Sequence, residues 1–206
     1  MSETALTNLV FEKLKNQQII QDAEFDLIYP KTYRKIAAFH FTPVDVAVKA
    51  AKFLAHKKSN RILDIGSGLG KFCMIGSVTT VNQYTGIEFR KSFWKISNQL
   101  AKKYSISNVE FLYGNIVDFD FKSYDAFYLF NSFYENIDKT SRINKEVTMD
   151  RQLYQTYSNY VKTQLEQKPK GTRVATYFSY GKEIPDCYTI CQLDEDSKLK
   201  MMEKTS

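Results

Sequence analysis

Hydrophobic and polar positions follow two different periods along this chain. Leu6, Leu9, Val10 and Leu14, with Ile19 and Ile20 beyond them, recur at the three- and four-residue spacing of one helical stripe, which predicts helix within residues 1–28. Tyr29-Pro30-Lys31-Thr32-Tyr33 breaks that stripe. A second helix is expected to open at Phe41-Thr42-Pro43-Val44-Asp45, with Thr42 as N-cap, Pro43 at the first helical position and Asp45 completing a capping box. Val44, Ala47, Val48, Ala51, Leu54 and Ala55 follow at helical spacing, and Ser59-Asn60 ends the segment. Short apolar runs then alternate with helical patterns: strands over 61–65, 84–88, 109–113, 124–130 and 172–179, and helices over 69–78, 91–103 and 145–167. After Pro185 two more strand-like runs, 188–193 and 199–203, flank the polar turn Asp194-Glu195-Asp196-Ser197.

Strand–helix alternation predicts an α/β fold, a doubly wound and mostly parallel sheet with helices on both faces. The two closing strands have no helix between them and must run antiparallel. A length of 206 residues fits one such domain over 41–206, preceded by a helical extension over 1–40. Tyr29, Tyr33 and Phe39 of that extension either fold over the sheet edge as a lid or pack on the sheet.

Composition narrows the classes. The hydrophobic fraction of 43% is that of an ordinary globular chain, and no apolar run approaches the ~20 residues that span a bilayer. The polar start, without a signal peptide's apolar core, leads us to expect a cytoplasmic protein with no membrane partner. Cys73, Cys187 and Cys191 are too few and too irregular for a disulfide framework or a zinc site, and two histidines, His40 and His56, make histidine-based metal chemistry unexpected. The formal charge of +6 is spread along the chain, apart from His56-Lys57-Lys58 and Lys102-Lys103, which suit helix C-termini. Of the fourteen Tyr and fifteen Phe, many fall in strands, where they favour a pleated half-buried surface.

The chemistry concentrates in Arg61-Ile62-Leu63-Asp64-Ile65-Gly66-Ser67-Gly68-Leu69-Gly70-Lys71-Phe72, which reads as buried strand, glycine turn and helix start. Such a turn lets a ligand press on bare backbone at the carboxyl edge of a parallel sheet. A second run, Tyr84-Thr85-Gly86-Ile87-Glu88, ends in an acid suited to a ribose. A dinucleotide site needs G-x-G-x-x-G; here Lys71 holds the third position and Gly70 comes one residue early. Asp64, two residues before Gly66, would repel a pyrophosphate but suits a cofactor with a cationic amino-acid portion, as in S-adenosyl-L-methionine.

With these residues the chain resembles the class I S-adenosylmethionine-dependent methyltransferase family over roughly residues 40–204. Asp64 to Gly70 looks like its first motif, with Asp64, Gly66, Ser67, Gly68 and Gly70 as cofactor contacts, and Glu88 looks like its ribose-binding acid. The resemblance implies the Rossmann-like plan of seven strands with an antiparallel last strand. It also places adenine at Asn115 and Ile116, although Asn in a turn needs no ligand to explain it. Phe41-Thr42-Pro43 is similar to a cofactor-contacting motif of some amino-methyltransferases, which would add Thr42 and Pro43 to the contacts.

Asn131-Ser132-Phe133-Tyr134 bears on the reaction. N6-adenine methyltransferases carry N-P-P-Y/F at this strand end, where Asn accepts hydrogen bonds from the amino group being methylated; here Ser132 and Phe133 replace both prolines. A looser Asn-then-aromatic pattern resembles the non-SET histone-lysine methyltransferase family, and the plain alternative is a strand end carrying two core aromatics. Asn131, Phe133 and Tyr134 are the candidate catalytic residues, with Asn131 orienting an amine and the rings facing it. The expectation is N-methylation of an amine on a protein side chain or small molecule. The alternatives are a nucleic-acid amino-methyltransferase that relies on a partner and a non-catalytic cofactor-binding module.

Overall fold

A computed structural model describes residues 3–138, 140 and 142–206, with the side chains of all of these except residues 3–6 and 38. Among these residues seven strands form one sheet: β1 (Arg61–Ile65), β2 (Gln83–Glu88), β3 (Val109–Tyr113), β4 (Ala126–Phe130), β5 (Arg173–Tyr177), β6 (Tyr188–Leu193) and β7 (Leu199–Lys204). Their order is β3-β2-β1-β4-β5-β7-β6. The five central strands pair in parallel, and β7 inserts antiparallel between β5 and β6. The expected closing pair and antiparallel last strand are thus present. A bulge at Cys191 interrupts the β6–β7 register between Ile190 and Gln192.

Period-two alternation divides the core between the faces. Ile62, Ala126 and Tyr128 join the cluster beneath α1 (Glu3–Lys15), α2 (Asp22–Phe25), α3 (Lys31–His40), α4 (Val44–Leu54), α5 (Lys71–Thr79) and α6 (Lys91–Lys103). Leu63, Ile65, Phe127 and Leu129 face the other way, onto Tyr154, Tyr157, Val161 and Leu165 of α7 (Arg151–Glu166). The second face therefore carries one long helix, supplemented by Ile116, Phe121 and Tyr124 from the β3–β4 connection.

Several boundaries depart from the pattern, each for a local reason. The first helix ends at Lys15, with Gln17 in left-handed backbone at φ 56°, rather than continuing to 28. Leu6 of the expected stripe lies outside the described side chains, while Val10, Phe11 and Leu14 are buried. The long helix starts at Arg151 rather than 145, because Asp150 caps it by accepting from the Gln152 N–H at 2.7 Å. Strand β4 begins at Ala126, since the Tyr124 N–H turns back to the Phe121 carbonyl, and β5 stops where Phe178 adopts φ 53°.

Thr42 is not an N-cap. α4 starts at Val44 with Pro43 in the cap position, and the Thr42 hydroxyl instead lies 2.9 Å from the Tyr128 hydroxyl. The expected capping box with Asp45 is absent, and the Val44 N–H is taken by Asp22 Oδ1 at 2.9 Å, from the preceding extension. That same carboxylate oxygen accepts from Lys71 Nζ at 2.7 Å, and Asp26 Oδ1 accepts from it at 2.7 Å. Phe25 lies beneath the ammonium, its ring centroid 5.1 Å away. The extension is thereby bonded to the first turn of the helix that follows the glycine loop. Tyr29 is buried against Phe25 and Phe41, Tyr33 packs edge-on against Phe93, and Phe39 is 78% exposed.

Candidate active site

The carboxyl ends of β1, β2, β3 and β4 converge on a cavity of about 630 Å³, within the range of small-molecule sites. Among the residues singled out from sequence, Pro43, Gly66, Gly68, Glu88, Asn115, Ile116, Asn131, Phe133 and Tyr134 line it. A side hollow of about 30 Å³ opens between the glycine turn and the α3–α4 junction, lined by Thr42, Asp64 and Ser67 and again by Gly66 and Gly68. Gly70 lines neither. Its φ of +80° and the 2.3 Å separating a built Cβ from Phe111 Cζ show that the helix start needs glycine for packing.

The turn is held by backbone. Gly66 and Ser67 N–H groups both donate to the Ile87 carbonyl, at 3.0 and 2.9 Å, and Gly70 N–H donates to Ser67 at 2.8 Å. The Gly68 N–H donates to Glu88 Oε2 at 2.9 Å, while the Arg90 N–H donates to Glu88 Oε1 at 2.7 Å. Gly68 has φ +57°, and a Cβ there would meet no heavy atom of the described residues within 4 Å, so the cavity comes directly up to its backbone.

Two buried acids border these spaces, Glu88 the cavity and Asp64 the side hollow. Burial pushes the Asp64 carboxyl up to about 8, against a hydrogen bond from the Cys73 thiol at 3.4 Å that lowers it, with Glu88 adding repulsion. Burial likewise lifts Glu88 to about 7, in spite of the Arg90 and Gly68 N–H groups and the Arg90 charge. Ser67 Oγ is buried with no hydrogen-bond partner among the described residues. A ligand with cationic and hydrogen-bonding groups would relieve all three, so the residues fit S-adenosylmethionine.

At the far wall, Asn131 adopts φ +45°, a left-handed conformation that Asn tolerates better than most residues. Its carbonyl accepts from the Tyr134 N–H at 3.1 Å, closing a tight turn, and the Ser132 hydroxyl donates to the Ile65 carbonyl, fastening the turn to β1. Phe133 is buried and tilts against Tyr157 at 5.4 Å, both lining the cavity. Tyr134 stacks on Tyr180 at 5.4 Å, and Tyr180 is exposed. Asn115 Nδ2 donates to the Tyr157 hydroxyl at 3.0 Å while its Oδ1 accepts from the Val117 N–H. Phe39, Phe89 and Phe178 line the cavity and are exposed.

Arg90, Glu135 and His40 also line the cavity; Glu135 directly follows Asn131-Ser132-Phe133-Tyr134, where an acid can serve as a base or simply be solvated, and no motif marks the other two. Arg90 Nη2 donates to both carboxylate oxygens of Glu135, at 2.8 and 2.9 Å, and Glu135 also accepts from the Ile143 N–H at 2.9 Å. Only the position of Arg90 two residues after Glu88 hints at its place. Among the described residues, no three His, Cys, Asp or Glu gather as a metal site would.

A family profile described as a methyltransferase domain matches residues 56–202. No curated protein matches the chain. Among solved structures, the RNA methyltransferase from Salinibacter ruber in complex with S-adenosyl-L-homocysteine aligns at TM-score 0.54 and 20% identity, over 80% of this chain and 94% of that one. TrmN from Thermus thermophilus aligns at TM-score 0.58 and 13% identity, over 83% of this chain and 51% of its own. A point mutant of MtNAS aligns at TM-score 0.57 and 11% identity, over 99% of this chain and 74% of its own. At these identities the likeness is one of fold, and it agrees with the sheet order found here. By the matching profile, its fold and its glycine turn, the chain belongs to the class I S-adenosylmethionine-dependent methyltransferase family.

Proposed function

We propose that this methyltransferase acts on the nitrogen of an amine carried by a protein side chain or a small molecule. The observation that carries this reading is Asn131, held in left-handed backbone at the end of β4 on the wall of the cavity that reaches Gly68. Its side-chain oxygen can accept hydrogen bonds from an amino group and so aim the nitrogen lone pair. Tyr134 offers a ring face to the incoming group, and Phe133 backs the turn.

In the same reading Glu88 holds the ribose hydroxyls, Asn115 and Ile116 flank the adenine, and Asp64 with Ser67 receives the ammonium end through the side hollow. Pro43 borders the main cavity, and Thr42 serves chiefly by fixing Tyr128 beside the hollow. The cofactor supplies an activated methyl group on a sulfonium. The protein's part is to align the acceptor and exclude water.

Asn131→Ala is expected to lower turnover by about 10²-fold, the size of a lost positioning contact, with cofactor affinity nearly unchanged. Calorimetry beside a turnover assay checks the split, and equal loss of both would move Asn131 onto the cofactor. Cofactor binding should also depend on pH. Asp64 and Glu88 are protonated below their raised values, about 8 and about 7, and a cation favours their ionised forms. Affinity should therefore fall as pH drops from 8 to 6, by about tenfold for each unit over which one acid protonates, with protons released on binding at pH 7. Calorimetry in buffers of different ionisation enthalpy measures that release; none would argue against both acids facing the ligand.

The acceptor class is tested by incubating cell lysate with radiolabelled S-adenosylmethionine and separating protein, nucleic acid and small molecules. A second reading, methylation of a nucleobase amino group, draws on the exposed rings of Phe39, Phe89 and Phe178 at the cavity, on which bases can stack. Label in nucleic acid would favour it over the amine.

A further inference from the structure

His40 ends α3 where the cavity and the side hollow meet. It lines both, together with Phe41, Gly66, Gly68 and Phe130. With ribose on the Glu88 side and the amino-acid end on the Asp64 side, this junction is where the sulfur and its methyl group fall. We propose that His40 is the general base that removes a proton from the acceptor's ammonium, so that a free amine lone pair meets the methyl carbon. The inference rests on the amine reading above.

A nitrogen that arrives as R–NH3+ has no lone pair to attack with. Neutral imidazole takes one proton, giving R–NH2 and imidazolium. The nitrogen pair then forms the N–C bond as the C–S bond breaks, and the bonding pair stays on sulfur as a neutral thioether. The product is R–NH2+–CH3, and the imidazolium returns its proton to water. One proton is released per methyl transferred.

The other candidates at this edge are already engaged. Glu135 is held by Arg90 and the Ile143 N–H, Glu88 by the Gly68 and Arg90 N–H groups, and Asp64 by the Cys73 thiol. The ammonium of Lys71 sits between Asp22 and Asp26. Tyr134 is pushed up to about 12, chiefly by its hydrogen bond with Tyr180, and so keeps its proton at neutral pH. His40, half-buried, takes part in no hydrogen bond or ion pair among the described residues. The charged groups facing it are Glu135 and Arg90, with Asp64 and Lys71 across the side hollow. Burial lowers its ionisation below the usual 6.5 and Arg90 lowers it further, while Glu135 acts the other way. The ring is thus neutral and able to accept a proton at pH 7.

Two measurements test this. The chain has two histidines, so their ring signals can be followed by NMR in the whole protein, with His56 at the amino end of β1 as an internal reference. With saturating S-adenosylmethionine, His40 should titrate at lower pH than with S-adenosylhomocysteine, because only the former brings a sulfonium charge beside it; His56 should not distinguish the two. Identical His40 titrations would place the ring away from the sulfur and overturn the proposal. The second measurement is the rate of label transfer from S-adenosylmethionine into the amine-bearing fraction of lysate. His40→Asn is expected to slow it by about 10²-fold or more at pH 7, with unchanged cofactor affinity. The wild-type rate should level off above the His40 ionisation, whereas the variant's should climb tenfold per pH unit toward the amine's own ionisation. A variant with the wild-type rate and profile would remove His40 from the chemistry and leave the amine reading intact. Label found on nucleobase amino groups, which carry no ammonium proton, would overturn both.

Discussion

Gly68→Arg should abolish cofactor binding while leaving the protein folded. A side chain at position 68 meets no atom of the described residues within 4 Å of its Cβ, so it grows into the cavity and the side hollow at once. The guanidinium would also stand beside Glu88, whose Oε2 already accepts from the Gly68 N–H, and would compete with the ribose hydroxyls for that acid. The backbone cost is that of an L-residue at φ +57°, about 1–2 kcal/mol, or a few degrees in Tm for a chain of this size. A loss of affinity of at least about 100-fold, read by calorimetry, should therefore accompany a small loss of stability. Gly70→Ala is the contrast. Its Cβ would sit 2.3 Å from the Phe111 ring, so overpacking of about 1–3 kcal/mol adds to the strain, and stability should fall more than binding. The reverse ranking of the two variants would mean that the ligand does not approach the backbone at Gly68.

Lys71→Met should unfasten the N-terminal extension. Lys71 is 3% exposed, and its ammonium is shared by Asp22 and Asp26, the latter at 12%. Removing the cation leaves the Asp26 carboxylate buried without its partner. Its ionisation is already raised by burial, which outweighs the pull of Lys71. Breaking a buried pair from one side costs about 3–5 kcal/mol, so Tm should drop by roughly 10 °C. Replacing both ends, Lys71→Met with Asp26→Leu, should recover most of that loss, because an apolar pair of similar volume removes both desolvated charges. Calorimetric melting of the two single variants and the double gives the coupling. Additive losses would show that the pair is not a unit.

How much of this was legible beforehand depends on range along the chain. Helix 91–103 and strands 109–113 and 188–193 matched residue for residue, because each is bounded by its own turn chemistry and carries a clear period. The glycine turn was legible because strand, turn and helix are contiguous, and Glu88 because its strand is short and ends abruptly. The start of α4 was misread for the opposite reason. Thr-Pro before an apolar run is a sound local signal, but the Val44 N–H is satisfied by an acid 22 positions earlier, which freed Thr42 to bond with Tyr128, 86 positions later. Arg90 with Glu135, Lys71 with Asp22 and Asp26, and the placing of His40 are all of this kind: they exist only after the sheet has brought distant loops together. Within the glycine motif, sequence could not separate Gly68, which faces the cavity, from Gly70, which faces Phe111.

The outermost strand carries a safeguard in its own irregularity. Every residue of β6 after Tyr188 is exposed, Ile190 and Leu193 among them, and such a border would ordinarily invite another chain to dock along it. The extra residue at Cys191 throws the free amides and carbonyls out of even spacing, so an approaching ribbon cannot match them one for one. A single inserted position thus guards the growing end of the sheet against fibre-like stacking, where charge or proline would otherwise have to serve.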